Sequence, residues 1–261
     1  MVSSTLELAR ENHVHRLRAT LEALQKEFNP AGYVLVSACY RVLAACALLL
    51  ETDTNAYFSH LENAANARLD FLHHVNSGAT VEPRYLALSK DLGFTCALAS
   101  DDWATAEEIS RLSHKKHTAS VEYEDDFLFS YFMHTLLLET DNTGKFEVML
   151  ARWEEVLEGA DSGFFDVCQS LCERNADNYE VAFESLLASR TAQLDTYAAQ
   201  VSADQELLAV ERGLFIDAIA VAKLAEKIGL QTNGTYLLMP KLALSERPSA
   251  QVARTSWSTI P

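Results

Sequence analysis

LLLETDTNAYFSHLENA, residues 48–64, and LLLETDNTGKFEVMLAR, residues 136–152, begin with the same hexapeptide, 88 positions apart. The likeness continues beyond the identical letters, because apolar residues recur at the same offset: Phe58 and Phe146, Leu61 and Met149, Ala65 and Trp153, and Leu69 and Leu157. Spacings of three and four residues put these positions on one face of a helix. Each copy therefore predicts an apolar helix, a short polar turn at Thr-Asp, and a second helix with a buried stripe.

The same pattern of helix, turn and helix occurs twice more in weaker form, in ALASDDWATAEEISRL and in LCERNADNYEVAFESLL. The four predicted turns are separated by steps of 48, 40 and 36 residues and are marked by Asp53, Asp101, Asp141 and Asp177. Repeats built from two helices have periods of about 34 to 47 residues, so the chain predicts degenerate helix-hairpin repeats of the tetratricopeptide type. An all-helical chain with short loops is the alternative source of such self-similarity.

The composition predicts an all-α fold in a single domain. The 261 residues include only nine glycines and five prolines, and alternating β-branched residues are scarce. No Pro, Gly or Ser cluster marks a linker before residue 245, so we assign residues 1–245 to one helical domain and residues 246–261 to a polar, flexible tail. About ten helices are expected, at residues 5–28, 32–50, 55–75, 83–99, 102–116, 123–139, 145–158, 163–174, 178–198 and 204–228.

Helix ends are predicted from capping residues. Three pairs have the spacing of a capping box, in which the first side chain accepts from the backbone and the second reaches back: Ser4 with Glu7, Asp177 with Glu180, and Ser202 with Gln205. Gly159 and Gly229 are expected to follow helix C-termini, where a left-handed residue is favoured.

Residues 31–50, AGYVLVSACYRVLAACALLL, have the length of a membrane span. Arg41 lies at the midpoint, where a charge costs about 2.5 to 3.5 kcal/mol on insertion scales, so we interpret the stretch as a buried central helix. The N-terminus, MVSSTLELARENHVHRL, carries charges where a signal peptide needs an apolar core. A cytoplasmic location is therefore expected.

Neither the cysteines nor the histidines form a pattern that predicts chemistry. The five cysteines are expected to be free core thiols. Two lysines between His114 and His117 would repel a cation, and His134 lies in an apolar helix as a core residue. The sequence lacks a Gly-rich phosphate loop, a nucleophile elbow and a His-Glu-x-x-His motif. We therefore predict no catalytic residue, no metal site and no cofactor; an all-α enzyme whose functional groups meet only in the fold is an alternative.

Charge gives the strongest indication of a partner. The formal net charge is −16, and residues 101–166 hold 16 acids against five bases. Such a chain would repel nucleic acids and anionic membranes, whereas it suits a basic protein partner. Acidic faces that only keep the helices solvated are the alternative. The predicted partner-binding residues form two short acidic runs: Asp101, Asp102, Glu122, Glu124, Asp125 and Asp126.

Two later passages carry a resemblance to a known family. NADNYEVAFESLLASRTAQLDTY begins at Asn175, and FIDAIAVAKLAEKIGLQTNGTYLLMPKLAL begins at Phe215. The second contains an apolar helix, a Leu-Ala-x-x-x-Gly-Leu turn and a Pro-x-Leu element at Pro240 to Leu242. In these features the chain resembles the immunity protein 49 family of bacterial polymorphic toxin systems, over residues 30–242.

The resemblance implies a small cytoplasmic protein that is encoded beside a toxin, binds the toxin domain and blocks it in the producing cell. It supplies no catalytic residues. The acidic composition is compatible, because an acidic surface can occupy the basic cleft of a toxin that acts on nucleic acids or nucleotides. The alternative is a tetratricopeptide-like scaffold or regulator that binds a protein or peptide, although the chain lacks the full Trp, Gly, Tyr, Ala and Pro signature of those repeats.

Overall fold

A computed structural model describes residues 2–247 and 252–260 of the chain. Within these residues the regular structure is helical, and the only β pairing is an isolated bridge between Tyr236 and Met239. The α-helices are α1 (Val2–Leu24), α2 (Pro30–Glu51), α3 (Thr54–Asn76), α4 (Leu92–Ala99), α5 (Trp103–Leu112), α6 (Glu124–Leu138), α7 (Thr143–Leu157), α8 (Gly163–Glu173), α9 (Ala176–Ala198), α10 (Gln205–Glu211) and α11 (Ile216–Lys227). One hydrophobic core takes residues from all of them, so the predicted all-α, single-domain fold is confirmed.

The antiparallel hairpin of α2 and α3 forms the centre of the core. On α2 the Ser37 hydroxyl donates to the Ala64 carbonyl, and the Tyr33 hydroxyl donates to Asp70, farther along α3, each over 3.0 Å. By length and composition α2 could cross a membrane, yet 67% of its most apolar 18-residue stretch is buried inside the protein. The prediction of a buried central helix is therefore confirmed.

Packing follows chain order at first and then closes the structure. Each helix from α1 to α9 contacts the next helix in the chain. Beyond α9 the order changes, because α10 packs against α1 and α2, and α11 packs against α4. The last helices therefore cover the first ones, rather than extending a linear stack.

The first LLLETD lies where it was predicted, at a turn between helices. Thr52 ends α2 in the left-handed region with φ of 56°, and the Asp53 carboxylate caps α3 by accepting from the Ala56 N–H over 2.9 Å. Phe58 follows as a fully buried residue of α3. The prediction for this copy is confirmed.

The second LLLETD also forms a turn, but Asp141 does not cap the helix that follows. Four residues separate α6 from α7, whereas two separate α2 from α3, and the longer linker puts Asn142 at the N-cap. Its side chain accepts from the Lys145 N–H over 3.4 Å, while the Asp141 side chain is 97% exposed. Phe146 is buried, as predicted.

Three of the interhelix turns share one backbone form. A residue with positive φ immediately precedes the Asp or Asn that caps the second helix: Thr52 with Asp53, Asp101 with Asp102, and Arg174 with Asn175. The capping residues of the weaker copies are Asp102 and Asn175; Asp101 lies in the turn, as predicted, whereas Asp177, which was predicted to cap, lies in the first turn of α9. The shift has a geometric reason, because only the residue just before the first helical turn can reach the free N–H groups.

Two predicted helices are each divided in the structure. Residues 83–99 form two single 3-10 turns before α4, whose N-cap is Asp91. Residues 204–228 form α10 and α11, separated by a bend at Gly213, where an added Cβ would lie 2.4 Å from Leu49 Cδ1. After the bend the Phe215 N–H donates to the Leu238 carbonyl over 2.8 Å, outside any helix. Close packing and a loop contact therefore outweigh the helical pattern of the sequence.

The three predicted capping boxes are wrong, whereas both glycines are placed correctly. Helix α1 begins before Ser4, and the N-caps of α9 and α10 are Asn175 and Asp204. Gly159 and Gly229 have φ of 85° and 93° and each follows the C-cap residue of its helix, α7 and α11. A glycine end is easier to predict because left-handed backbone strongly favours that residue, whereas several polar residues compete for each N-cap.

The described part of the C-terminal segment packs on the domain. Trp257 is buried against Tyr33, with ring centroids 5.4 Å apart, and its carbonyl accepts from the Tyr40 hydroxyl over 2.8 Å. The Val252 N–H donates to the buried Glu62 carboxylate over 2.9 Å. Residues 248–251 and 261 of the predicted flexible tail lie outside the described residues. Residues 252–260 pack on the domain instead of forming a free tail.

Replacing Phe146 by Ala should destabilise the domain by about 3 to 5 kcal/mol, because a buried aromatic is lost and a cavity remains. The matched control is Val148→Ala on the same helix, where the side chain is 71% exposed. Equal unfolding free energies for the two variants in urea would contradict a core position for Phe146.

Replacing Trp257 by Ala should cost about 3 kcal/mol, the lower end for a buried Trp, because the segment lies at the surface of the core. The melting temperature should fall by roughly 2 to 4 °C for each kcal/mol lost. Ile260→Ala, at a more exposed position of the same segment, is the control. An unchanged melting temperature for Trp257→Ala would mean that the segment contributes nothing to stability.

Candidate partner-binding site

Two of the six predicted binding residues hold helices together inside the protein. Asp101 forms an ion pair with the buried Lys223 of α11 over 2.8 Å. Asp102 caps α5, accepting from the Thr105 N–H over 3.3 Å, and lies 3.9 Å from Arg247. Both carboxylates therefore have cationic partners within the chain, which reduces the charge they offer to another molecule.

Two more of the six are also engaged. Glu122 is buried and accepts from the Ser89 N–H over 3.0 Å, which joins the start of α6 to the loop before α4. Glu124 receives two hydrogen bonds from Arg152, at 2.8 and 2.9 Å, and these bonds lower the pKa of the Glu124 carboxyl. Arg152 thus ties α7 to the first turn of α6.

Asp125 and Asp126, at the start of α6, have no ion-pair partner among the described residues. Desolvation beside the packed helices and repulsion from Asp125 and Glu122 raise the pKa of the Asp126 carboxyl. A nearby cation would relieve that repulsion. Of the six predicted residues, this pair therefore presents the charge most available to a basic partner.

Four depressions adjoin one another around α8. They lie between α7 and α8, between α8 and α9, at the N-terminus of α8, and toward α4 and α6, with volumes of about 380, 480, 640 and 170 Å³. Neighbouring depressions share lining residues, in order Gln169 and Glu173, then Asp166 and Ser185, then Phe164 and Asp217. We call this continuous surface the α8 band.

The α8 band is acidic. Its lining includes two arginines, Arg174 and Arg190, and eight acids: Asp91, Asp126, Asp141, Glu147, Asp161, Asp166, Glu173 and Asp217. Five of the eight acids lie in residues 101–166, the segment that the sequence marks by its charge. The charge bias was therefore visible in the sequence, but only Asp126 was among the predicted site residues.

Both arginines of the α8 band are already paired. Arg174 donates to the Thr140 carbonyl and to Asp141, at 3.3 and 3.2 Å. Arg190 pairs with Glu211 over 3.0 Å and lies 5.2 Å from the centre of the Phe215 ring. In contrast, Glu147, Asp161 and Asp166 have no ion-pair partner within the described chain. The band therefore offers uncompensated negative charge to solvent.

Two of the eight acids in the lining, Asp217 and Asp91, are matched by arginines of the chain. Arg41 of α2 pairs with Asp217 of α11 over 2.8 Å and donates to the Thr95 hydroxyl over 2.9 Å. Burial by itself would raise the pKa of Asp217, but the adjacent Arg41 charge outweighs it and lowers that pKa. Arg68 and Asp91 form a second pair over 3.1 Å, and both of its side chains are buried. These pairs join α4 and α11 to the central hairpin.

His134 is the one fully buried histidine of the described chain. Its ring stacks on Phe94 at 3.6 Å between centroids, and neither ring nitrogen has a hydrogen-bond partner. Burial lowers the pKa of His134 well below its ordinary value, and the charges of Lys115 and Arg68 lower it further. The ring is therefore neutral at pH 7, as a core residue should be.

Metal-binding residues do not converge in the described part of the chain: no group of three or more His, Cys, Asp or Glu side chains is placed to hold an ion there. The cysteines are free thiols, as predicted. Cys39, Cys46, Cys96 and Cys168 are buried, and Cys172 is half-buried in the α8 band. What the geometry offers is thus a surface for binding, not an assembled set of ligands.

Replacing His134 by Phe should make the protein less sensitive to acid. Because the folded state excludes the proton that the unfolded chain binds below about pH 6.5, the wild type loses up to about 1.4 kcal/mol per pH unit from this residue as the pH falls below that value. Urea unfolding at pH 7.0 and 5.5 should show a smaller loss for His134→Phe than for the wild type. The exposed variant His15→Phe is the control, and equal acid losses for the wild type and His134→Phe would contradict a neutral His134.

No family model matches the chain, and no curated protein and no solved structure shows significant similarity to it.

Proposed function

We propose that this protein is a cytoplasmic immunity protein that binds a basic toxin domain and neutralises it. The observation that carries the proposal is the α8 band, where acids outnumber arginines and both arginines are paired within the chain. The resemblance of residues 30–242 to the immunity protein 49 family supports the same function. The proposal requires no catalytic residue, metal or cofactor.

Electrostatic complementarity explains how such a surface would act. Uncompensated carboxylates on packed helices attract a basic domain, and this attraction raises the rate of association. The helices need little reordering on binding, so less conformational entropy is lost than with a flexible acidic segment. An acidic surface that covers the basic substrate cleft of a toxin would block access to nucleic acid or nucleotide substrates.

A tetratricopeptide-like scaffold or regulator is the second candidate. The depression between α7 and α8 favours it, because apolar residues, including Phe146 and Leu150, line it at the turn between two helices. Such a groove suits an apolar side chain of a peptide. The two functions differ in outcome, since an immunity protein must abolish the activity of its partner, whereas a scaffold need only bind it.

Reversing Asp125 and Asp126 to Lys tests the proposed function. A cognate toxin domain should associate with the double variant roughly tenfold more slowly at low salt, because attraction is replaced by repulsion. The difference should shrink as salt rises, since exposed charges are screened. Stopped-flow association and assays of residual toxin activity measure the two effects.

The matched control is Glu11→Lys with Glu22→Lys, two exposed acids of α1, a helix that packs on α2 and α10. It makes the same change in net charge and should neutralise almost as well as the wild type. If both variants neutralise the toxin fully and at the original rate, Asp125 and Asp126 do not contact the toxin and serve only as solvated residues at the start of α6. A wild-type protein that binds the toxin without inhibiting it would favour the scaffold.

A further inference from the structure

The depression between α7 and α8, which we call the α7–α8 groove, has an apolar floor. Leu136, Phe146 and Leu171 are buried in the core beneath it, and Leu150 and Cys172 are half-buried. Its volume is about 380 Å³. Ligand pockets in proteins have volumes of roughly 300 to 1,000 Å³, so the groove can take one large side chain.

Acids stand on both sides of this floor. Glu147 lies on α7 and has no ion-pair partner among the described residues, and Glu173 lies at the end of α8, where it accepts from the Asn178 side chain over 3.1 Å. Arg174 is the one base in the lining, and Asp141 pairs with it. The rim is therefore net negative around an apolar floor.

One exposed apolar residue continues the surface beyond the groove. Val181 lines the adjoining depression between α8 and α9 and is 71% exposed. Apolar residues beside acids are typical of a protein interface, where apolar contacts provide affinity and charges select the partner.

We propose that the α7–α8 groove receives a large apolar side chain of the toxin domain, and that lysines or arginines beside it pair with Glu147 and Glu173. This inference rests on the proposed function and identifies where the partner is anchored. Interface energy is concentrated in a few buried anchors, and charges at the rim mainly affect the rate and the choice of partner. The groove supplies the anchor site, and the rest of the α8 band supplies the attraction.

A synthetic peptide with the sequence Lys-Lys-Leu-Trp-Leu-Lys-Lys is a suitable probe, because it presents an apolar centre between basic ends. Isothermal titration calorimetry should detect binding to the wild type. Two comparison peptides separate the contributions: the first has Ser in place of the three apolar residues, and the second has Glu in place of the lysines. Both should bind at least tenfold more weakly if floor and rim act together.

Two groove variants with matched controls locate the peptide. Leu150→Trp fills the floor without a change in charge, and Leu8→Trp on the exposed face of α1 is its control. Glu147→Lys with Glu173→Lys reverses the rim, and Glu154→Lys with Glu184→Lys makes the same charge change at exposed acids outside the groove. Each groove variant should weaken binding at least tenfold, and each control less than threefold.

The reactivity of Cys172 can be used to detect a peptide bound in the groove. It is the one cysteine of the described chain that is not fully buried, so slow alkylation by N-ethylmaleimide should be selective for it, and the bound peptide should protect it. Absence of binding to the wild type, equal effects of groove and control variants, or unprotected Cys172 would each overturn the proposal. These measurements need no toxin. The groove proposal can therefore be disproved while the proposed neutralisation of a toxin by the α8 band still stands.

Discussion

The structure depends on burying α2 together with the charge at its midpoint. Arg41 lies in the middle of α2, a long and largely buried apolar helix, and an unpaired charge there would cost several kcal/mol. Asp217 and Thr95 satisfy it from α11 and α4. This ion pair therefore links α11 to the central helix α2. The closed arrangement follows, with α11 covering α4 and α10 covering α1.

The contacts that hold this closed arrangement involve acids that would otherwise add negative charge to the surface. Asp101 neutralises Lys223, and Glu62 pairs with Arg247 while it accepts from Val252. By contrast, the acids around α8 have few cationic partners within the described chain. The net charge of −16 is therefore distributed unevenly, and the uncompensated part lies where α7, α8 and α9 leave grooves between them. This unevenness, more than the total charge, supports the proposed partner surface.

The sequence predicted helices and buried stripes well where the pattern depended on local chemistry. Phe58 and Phe146 are buried as their spacing indicated, and Asp53 caps α3. The sequence predicted the wrong N-cap residue where neighbouring polar residues could cap equally well, since Asn142 rather than Asp141 caps α7. Of the six predicted site residues, only Asp125 and Asp126 combine exposure to a partner with freedom from ion pairs in the described chain. Ion pairing depends on cations far away in sequence, so no local run of acids could predict it.

The sequence by itself determined the all-α class, the central apolar helix and the acidic character, because composition and periodicity act through the chain's own neighbours. Only the tertiary structure decided which acids are neutralised, that residues 252–260 pack on the central hairpin, and that grooves adjoin α8. Those features depend on contacts between residues far apart in the chain, such as Tyr40 with Trp257. Their geometry is set by how whole helices pack, and no short stretch of sequence contains it.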